Sequence, residues 1–232
     1  MKYKLILLLF LISSINSYSQ KKYSFDYIIE YNFQKNETSK IEKRYLLTNS
    51  EDDSYSVYVY EEDNLNFKMD FKDEKGIRSI SIIDKSQFFK AETISLACES
   101  IHYQKEKHKY DMGRFDFMNK EDTLIDGVSY KNYVMKYHKN SESKRYNRGI
   151  SHYVVENSTE FHLPLMMFSS IFDVSVTSKN RPNGIAKEIF SLSHDEKHYE
   201  FIYKLSQFVK TKKYLEVPIE CDYTNPKISK YK

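Results

Sequence analysis

Between Tyr23 and Phe33 the chain changes character at every second residue. Tyr23, Phe25, Tyr27, Ile29, Tyr31 and Phe33 are large and apolar or aromatic, Ser24, Asp26, Glu30 and Asn32 are polar, and only Ile28 breaks the pattern. A period of two belongs to an extended strand with one face in a core and a solvated back; helical spacing fits the segment poorly. The alternation returns in Leu65, Phe67, Met69 and Phe71 against Asn66, Lys68 and Asp70, and in Tyr199, Phe201, Tyr203 and Leu205 against Glu200, Lys204 and Ser206. Further strands are expected at Ile41 to Thr48, Tyr55 to Tyr60, Ile77 to Ile83, Ile94 to Tyr103, Arg114 to Met118, Tyr130 to His138, His152 to Glu156, Ile185 to Ser193 and Lys213 to Ile219.

Turn chemistry separates these segments. Asp73-Glu74-Lys75-Gly76 reads as a hairpin loop, and Asp126-Gly127 and Pro182-Asn183-Gly184 supply residues that tolerate positive φ. Strands at such spacing predict a mainly β fold, a large curved antiparallel sheet or half-barrel. The exception is Pro-Leu-Met-Met-Phe-Ser-Ser-Ile-Phe near residues 164–172, which fits one short buried helix with Ser158 or Thr159 upstream as cap. A buried strand is the competing reading there. No internal repeat or domain boundary stands out.

The first twenty residues read as a cleavable signal peptide. Lys2 and Lys4 precede an unbroken apolar run from Leu5 to Ile12, and Ser13 to Gln20 are mostly small or polar, placing the cut after Ser19 or Gln20. Eight apolar residues span only about 12 Å as a helix, against roughly 30 Å of bilayer hydrocarbon, so the run is too short for an anchor. No Cys stands near the cut to carry a lipid, the first being Cys98. The expected product is a single mainly β domain over residues 21–232, released to the periplasm or the extracellular space without a membrane span.

Loss of Lys2 and Lys4 lowers the formal net charge from +3 to +1. With charges interspersed along the chain, this argues against a nucleic acid partner and against an anionic membrane patch. Lys227, Lys230 and Lys232 read as a solvated tail. Cys98 and Cys221 would lie in an oxidising compartment, where they either form a disulfide closing a loop of over a hundred residues or remain two free thiols.

The candidate chemistry is sparse. His194-Asp195-Glu196-Lys197-His198 has two histidines four apart, but it carries Asp195 where the zinc-protease pattern needs Glu, and it falls between two strands, so a polar turn is the natural reading. His102 and His108 flank a charged loop, and His138, His152 and His162 are scattered. There is no nucleophile elbow, phosphate loop or dinucleotide-binding glycine run. No catalytic residue, metal or cofactor is therefore assigned. Asn36-Glu37-Thr38 and Asn157-Ser158-Thr159 match glycosylation acceptors, which matter only in a eukaryotic secretory host.

The order of signal peptide, long aromatic strand and meandering strands, followed by Asp-Thr-Leu-Ile-Asp-Gly-Val-Ser-Tyr-Lys-Asn-Tyr at residues 122–133, resembles the GLPGLI group of secreted envelope proteins of Gram-negative bacteria. Ile125 to Tyr133 and Leu163 to Phe168 occupy the places of that group's glycine-containing segment and its Pro-containing apolar stretch. The signature itself is replaced by His162-Leu163-Pro164-Leu165-Met166, and the chain has no Trp. The general layout also looks like the half-barrel of periplasmic lipoprotein carriers, a curved sheet partly wrapping a helix. Neither resemblance implies catalytic residues.

The expectation is a non-enzymatic exported envelope protein that binds an apolar ligand or a partner protein. Phe25, Tyr27 and Phe67, with Met166, Met167 and Phe168, would either line a cavity or fill a core. The alternative is a secreted hydrolase with a His and an acid brought together by folding.

Overall fold

A computed structural model describes residues 20–104, 115–137, 149–161, 178, 180–225 and 228. The signal segment through residue 19, the helix expected near residues 164–172, His108, His138, His162 and the tail lysines Lys227, Lys230 and Lys232 lie outside the described residues. The fold is mainly β. Its strands are β1 (Lys21–Gln34), β2 (Glu42–Thr48), β3 (Tyr55–Glu61), β4 (Asn66–Asp73), β5 (Ile77–Asp84), β6 (Thr93–Ser95), β7 (Ile101–Tyr103), β8 (Phe115–Ile125), β9 (Val128–Tyr137), β10 (Ile150–Val155), β11 (Ala186–Leu192) and β12 (Tyr199–Val217). Among the described residues they form one 12-stranded open sheet in the order β7-β5-β4-β3-β2-β1-β12-β11-β10-β9-β8, antiparallel throughout except for β6, which lies off this path and runs parallel to the end of β12. Cys98–Ser100 and Ile219–Cys221 are single 3-10 turns.

Among the described residues the α-helix is α1 (Lys85–Lys90), which the sequence reading did not anticipate. The Asp84 carboxylate accepts from the Gln87 N–H at 3.0 Å, the capping that starts a helix. Phe88 is its buried anchor. At the other end Lys213 of β12 donates to the carbonyls of Phe89 and Ala91, at 3.1 and 2.5 Å, satisfying acceptors that a helix end leaves open.

The chain builds two cores, on opposite faces of the same sheet. Ile28 pairs with Leu47 and packs with the first; Ile29 pairs with Leu46 and packs in the second. Adjacent residues of a strand point to opposite faces, so the two cores do too. The first gathers β2 to β5, α1, β6 and the end of β12 around Phe67, Phe71 and Phe88. The second gathers β8 to β12 around Phe117, Tyr153 and Tyr203.

Strand β1 serves both. Its register against β12 slips between Phe25, opposite Lys213, and Tyr27, opposite Lys210. Before the slip Tyr23 and Phe25 enter the first core; after it Ile29 and Tyr31 enter the second, with Tyr27 and Phe33 packed beside them. Across this irregularity side chains two apart point to opposite faces, which is how an unbroken alternation feeds two cores; a second slip, between Glu30 and Tyr31, leaves Ile29 and Tyr31 in the same core. The solvated back expected for this strand is therefore not present along its length: Ile28 is packed, and Glu30 is buried, paired with Lys43 and accepting from Gln207 at 3.0 Å.

The first core is closed at its rim by a buried acid. The Asp73 side chain, 1% exposed, accepts from Tyr23 Oη, lies 3.0 Å from Lys21 Nζ and accepts from the Lys75 N–H at 2.7 Å. Lys21 also donates to Thr224 at 3.0 Å, so the start of β1, the β4–β5 turn and the C-terminal turn meet there. The turn is the hairpin expected at residues 73–76, with Gly76 at φ +115; a side chain there would meet the Tyr103 ring at 2.7 Å.

Six tyrosines carry a consequence for alkaline stability. Burial pushes the phenol pKa of Tyr31 and Tyr153 well above its ordinary value. Burial, assisted by neighbouring groups, does the same for Tyr23 (Asp73) and Tyr203 (Tyr58), and burial with Glu30 nearby raises Tyr45 against the opposing charge of Lys43. Tyr58 is raised by burial against a lowering hydrogen bond from Tyr203. A raised folded pKa gives stability that is complete below the unfolded value of about 10 and is lost as pH climbs above it. Lys213, whose ammonium is disfavoured by burial, has the opposite sign, but it is one group against six. In an alkaline titration these phenols are expected to ionise late and together with the loss of the β-sheet circular dichroism signal. Ionisation of all tyrosines near pH 10 with the sheet intact would contradict their burial.

Candidate binding surface

The aromatic residues considered as a cavity lining are packed side chains. Phe25 and Phe67 are each 2% exposed. The Phe25 ring meets Tyr55 edge-on at 5.5 Å, and Phe67 lies 5.3 Å from both Tyr45 and Phe88. Tyr27, half-buried, lies on the other core, 4.9 Å from Phe161 and 6.3 Å from Phe208. Phe25 and Phe67 share the first core, and the irregularity in β1 puts Tyr27 on the other face. Met166, Met167 and Phe168 lie outside the described residues.

Among the described residues the histidines are dispersed. Residues 194–198 form the turn between β11 and β12, where Asp195 accepts from Ser193 Oγ at 2.6 Å and from the Lys197 N–H at 3.3 Å and Glu196 adopts φ +56. His102 is exposed on β7. His152 stacks on Phe190 at 4.5 Å, and burial lowers its imidazole pKa. Its Nδ1 has no hydrogen-bond partner among the described residues.

Cys98 and Cys221 stand side by side, with Cα atoms 5.6 Å apart across a sequence separation of 123. That distance suits a disulfide. The Glu220 carboxylate lies with the two sulfurs, the three ligand atoms falling within 4.8 Å of one another. Such a trio can hold a soft divalent cation only through free thiolates, so pairing the sulfurs removes that chemistry.

On the face opposite the first core, Arg44 pairs with Glu42 and lies over the rings of Phe33, Tyr60 and Tyr58 at 4.9, 4.8 and 6.0 Å. Tyr58 and Tyr203 share a hydrogen bond of 2.7 Å between their hydroxyls. The planar cation thus covers the aromatic rim of the second core.

One described surface that departs from this packing is the outer edge of β5. β4 pairs with β5 from Arg78 to Asp84, whereas β7 pairs only with Ile77, Arg78 and Ser79. No described strand pairs with Ile80 to Asp84 on that side. Ile80 and Ile82 are 52% and 54% exposed, while Ile83, on the other face, packs against the first core. A continuous free edge with branched apolar side chains is the form of strand that natural sheets ordinarily cover or charge. The sequence signal was present in Ile77 to Ile83, but alternation alone does not say which side of a strand is left without a neighbour.

No protein-family model matches the chain, and no curated protein matches it. Solved structures similar to it include the Pseudomonas aeruginosa MucA/MucB complex, at 8% identity over 81% of this chain and 52% of that one, TM-score 0.43. A crystal structure of MucB matches at 8% identity over 79% and 52%, TM-score 0.39. A putative outer membrane lipoprotein-sorting protein domain from Vibrio parahaemolyticus matches at 10% identity over 81% and 86%, TM-score 0.31. The chain spans about half the length of the MucB chains it matches. Likenesses of this degree carry no inference about what this chain binds. No helix among the described residues is long and apolar enough to cross a membrane.

Proposed function

We propose that this chain is an exported, non-catalytic binding protein of the cell envelope whose partner is a polypeptide. The observation that carries this reading is the contrast between packed and open apolar surface. Phe25 and Phe67, the aromatic residues with which a concave sheet would hold an acyl chain, are committed to ring contacts in a core, whereas Ile80 and Ile82 stand exposed on a strand edge. Exposed apolar groups beside unpaired backbone favour a polypeptide, which supplies both hydrogen bonds and side chains. Export rests on the twenty-residue leader described above.

Native mass spectrometry of the protein secreted from a bacterial host tests the reading. The expected mass is that of a chain beginning at Gln20 or Lys21 without an adduct. A stoichiometric acyl-chain adduct would contradict the polypeptide reading, and an uncleaved leader would contradict export.

A further inference from the structure

We infer that the open half of β5, Ile80 to Asp84, takes an extended apolar peptide as an added strand; this deepens the polypeptide reading by naming its site. The direction of the backbone groups follows from two hydrogen bonds. The Lys85 N–H donates to Leu65 O at 2.9 Å, on the β4 side, and the Gln104 N–H donates to Gly76 O at 2.8 Å, on the β7 side. In an antiparallel ladder successive residues turn their N–H and C=O groups to opposite edges. Ser81 and Ile83 therefore face β4, and Ile80 and Ile82 turn both backbone groups to the open side, each beside its own exposed side chain.

Among the described residues the chain's course leaves this edge without a neighbouring strand. β7 stops at Ile101 because the preceding residues turn away through the 3-10 turn at Cys98–Ser100. That turn is held by the 2.7 Å contact between Ser79 Oγ and Ser100 Oγ and by the position of Cys98 beside Cys221. At the other end α1 begins at Lys85. The opening is thus about five residues long, bounded by a strand and a helix.

Those bounds select the occupant. In an antiparallel pair of β5 strands centred on Ile82, Ser79 of one copy would stand opposite Lys85 of the other. β7 of each copy would then occupy the space of its partner's α1, so a second copy of the chain does not fit this register. A single extended segment does fit, and apolar residues at its alternate positions would pack on Ile80 and Ile82 as cross-strand neighbours.

The probe is a fluorescein-labelled peptide, Lys-Lys-Thr-Val-Thr-Val-Thr-Lys-Lys, with binding read by anisotropy on the full mature chain. Saturable binding is expected, weakened at least about tenfold by Ile82→Pro, which removes the outward N–H, and by N-methylation of the peptide's central valine. Leu124→Asp, on the distant β8–β9 hairpin, is expected to leave it unchanged. If Ile82→Pro fails to fold, the double variant Ile80→Ser, Ile82→Ser keeps the backbone and is expected to weaken binding by about fivefold or more. Absence of binding to the wild-type chain, or binding that none of these edge changes weakens, would overturn the site. That failure is distinct from an acyl-chain adduct on the secreted protein, which would overturn the polypeptide reading itself.

Discussion

An Asp73→Ala chain is expected to lose about 3 to 5 kcal/mol of unfolding free energy, the cost of removing one partner from a buried charged pair. The Asp73 side chain is 1% exposed and meets both Lys21 and Tyr23. Without it a phenol already raised by burial loses its acceptor, and an ammonium that is 22% exposed loses its counter-charge. Asp73→Asn leaves an oxygen to accept from Tyr23 and is expected to lose less, about 1 to 3 kcal/mol. Urea unfolding of the three proteins checks this; a loss below about 0.5 kcal/mol for Asp73→Ala, the size of an ordinary surface change, would contradict the account.

Replacing both cysteines by serine is expected to lower stability by a comparable amount, about 4 to 5 kcal/mol on the chain-entropy argument. We propose that Cys98 and Cys221 are bonded in the exported protein. The Cα separation of 5.6 Å permits the bond, and the 123-residue separation makes the closed loop long. The bond would fasten the 3-10 turn ahead of β7 to the turn after β12. Non-reducing peptide mapping should recover the two cysteines in one cross-linked peptide pair. Two alkylatable thiols in the secreted protein would contradict the bond and leave the trio with Glu220 available to a metal ion.

Much of the sheet was legible because side chains facing a core must be apolar at every second position. The alternation found β1 through β5 to within one or two residues of their ends, and placed the turns at residues 73–76 and 126–127. It failed where pairing does not depend on side chains. The strands expected at Tyr199 to Leu205 and Lys213 to Ile219 are parts of one strand, β12. Residues such as Gln207 and Lys210 between them are polar but still pair with Glu30 and Tyr27 of β1.

The stretch Ile94 to Tyr103 failed in the opposite way. Its apolar spacing of two, through Ile94, Leu96 and Cys98, jumps by three to Ile101, and the strand breaks there into β6, a turn and β7. Helix α1 left little signal, since six residues are too few for a helical period; the Asp84 cap and Phe88 were its marks. The choice between cavity and core for Phe25, Tyr27 and Phe67 was beyond sequence, because the slip that puts Tyr27 on the other face lies in the pairing with β12. The open edge was beyond it for the same reason: what matters at Ile80 and Ile82 is which strand is missing beside them.

Amide hydrogen exchange across the whole chain, measured with and without the alternating valine peptide, is expected to show new protection confined to the outward-facing amides of Ile80 and Ile82 and their immediate neighbours. Protection appearing instead around Tyr27, Phe161 and Phe208, with β5 unchanged, would place the ligand against the second core and contradict the strand-edge site.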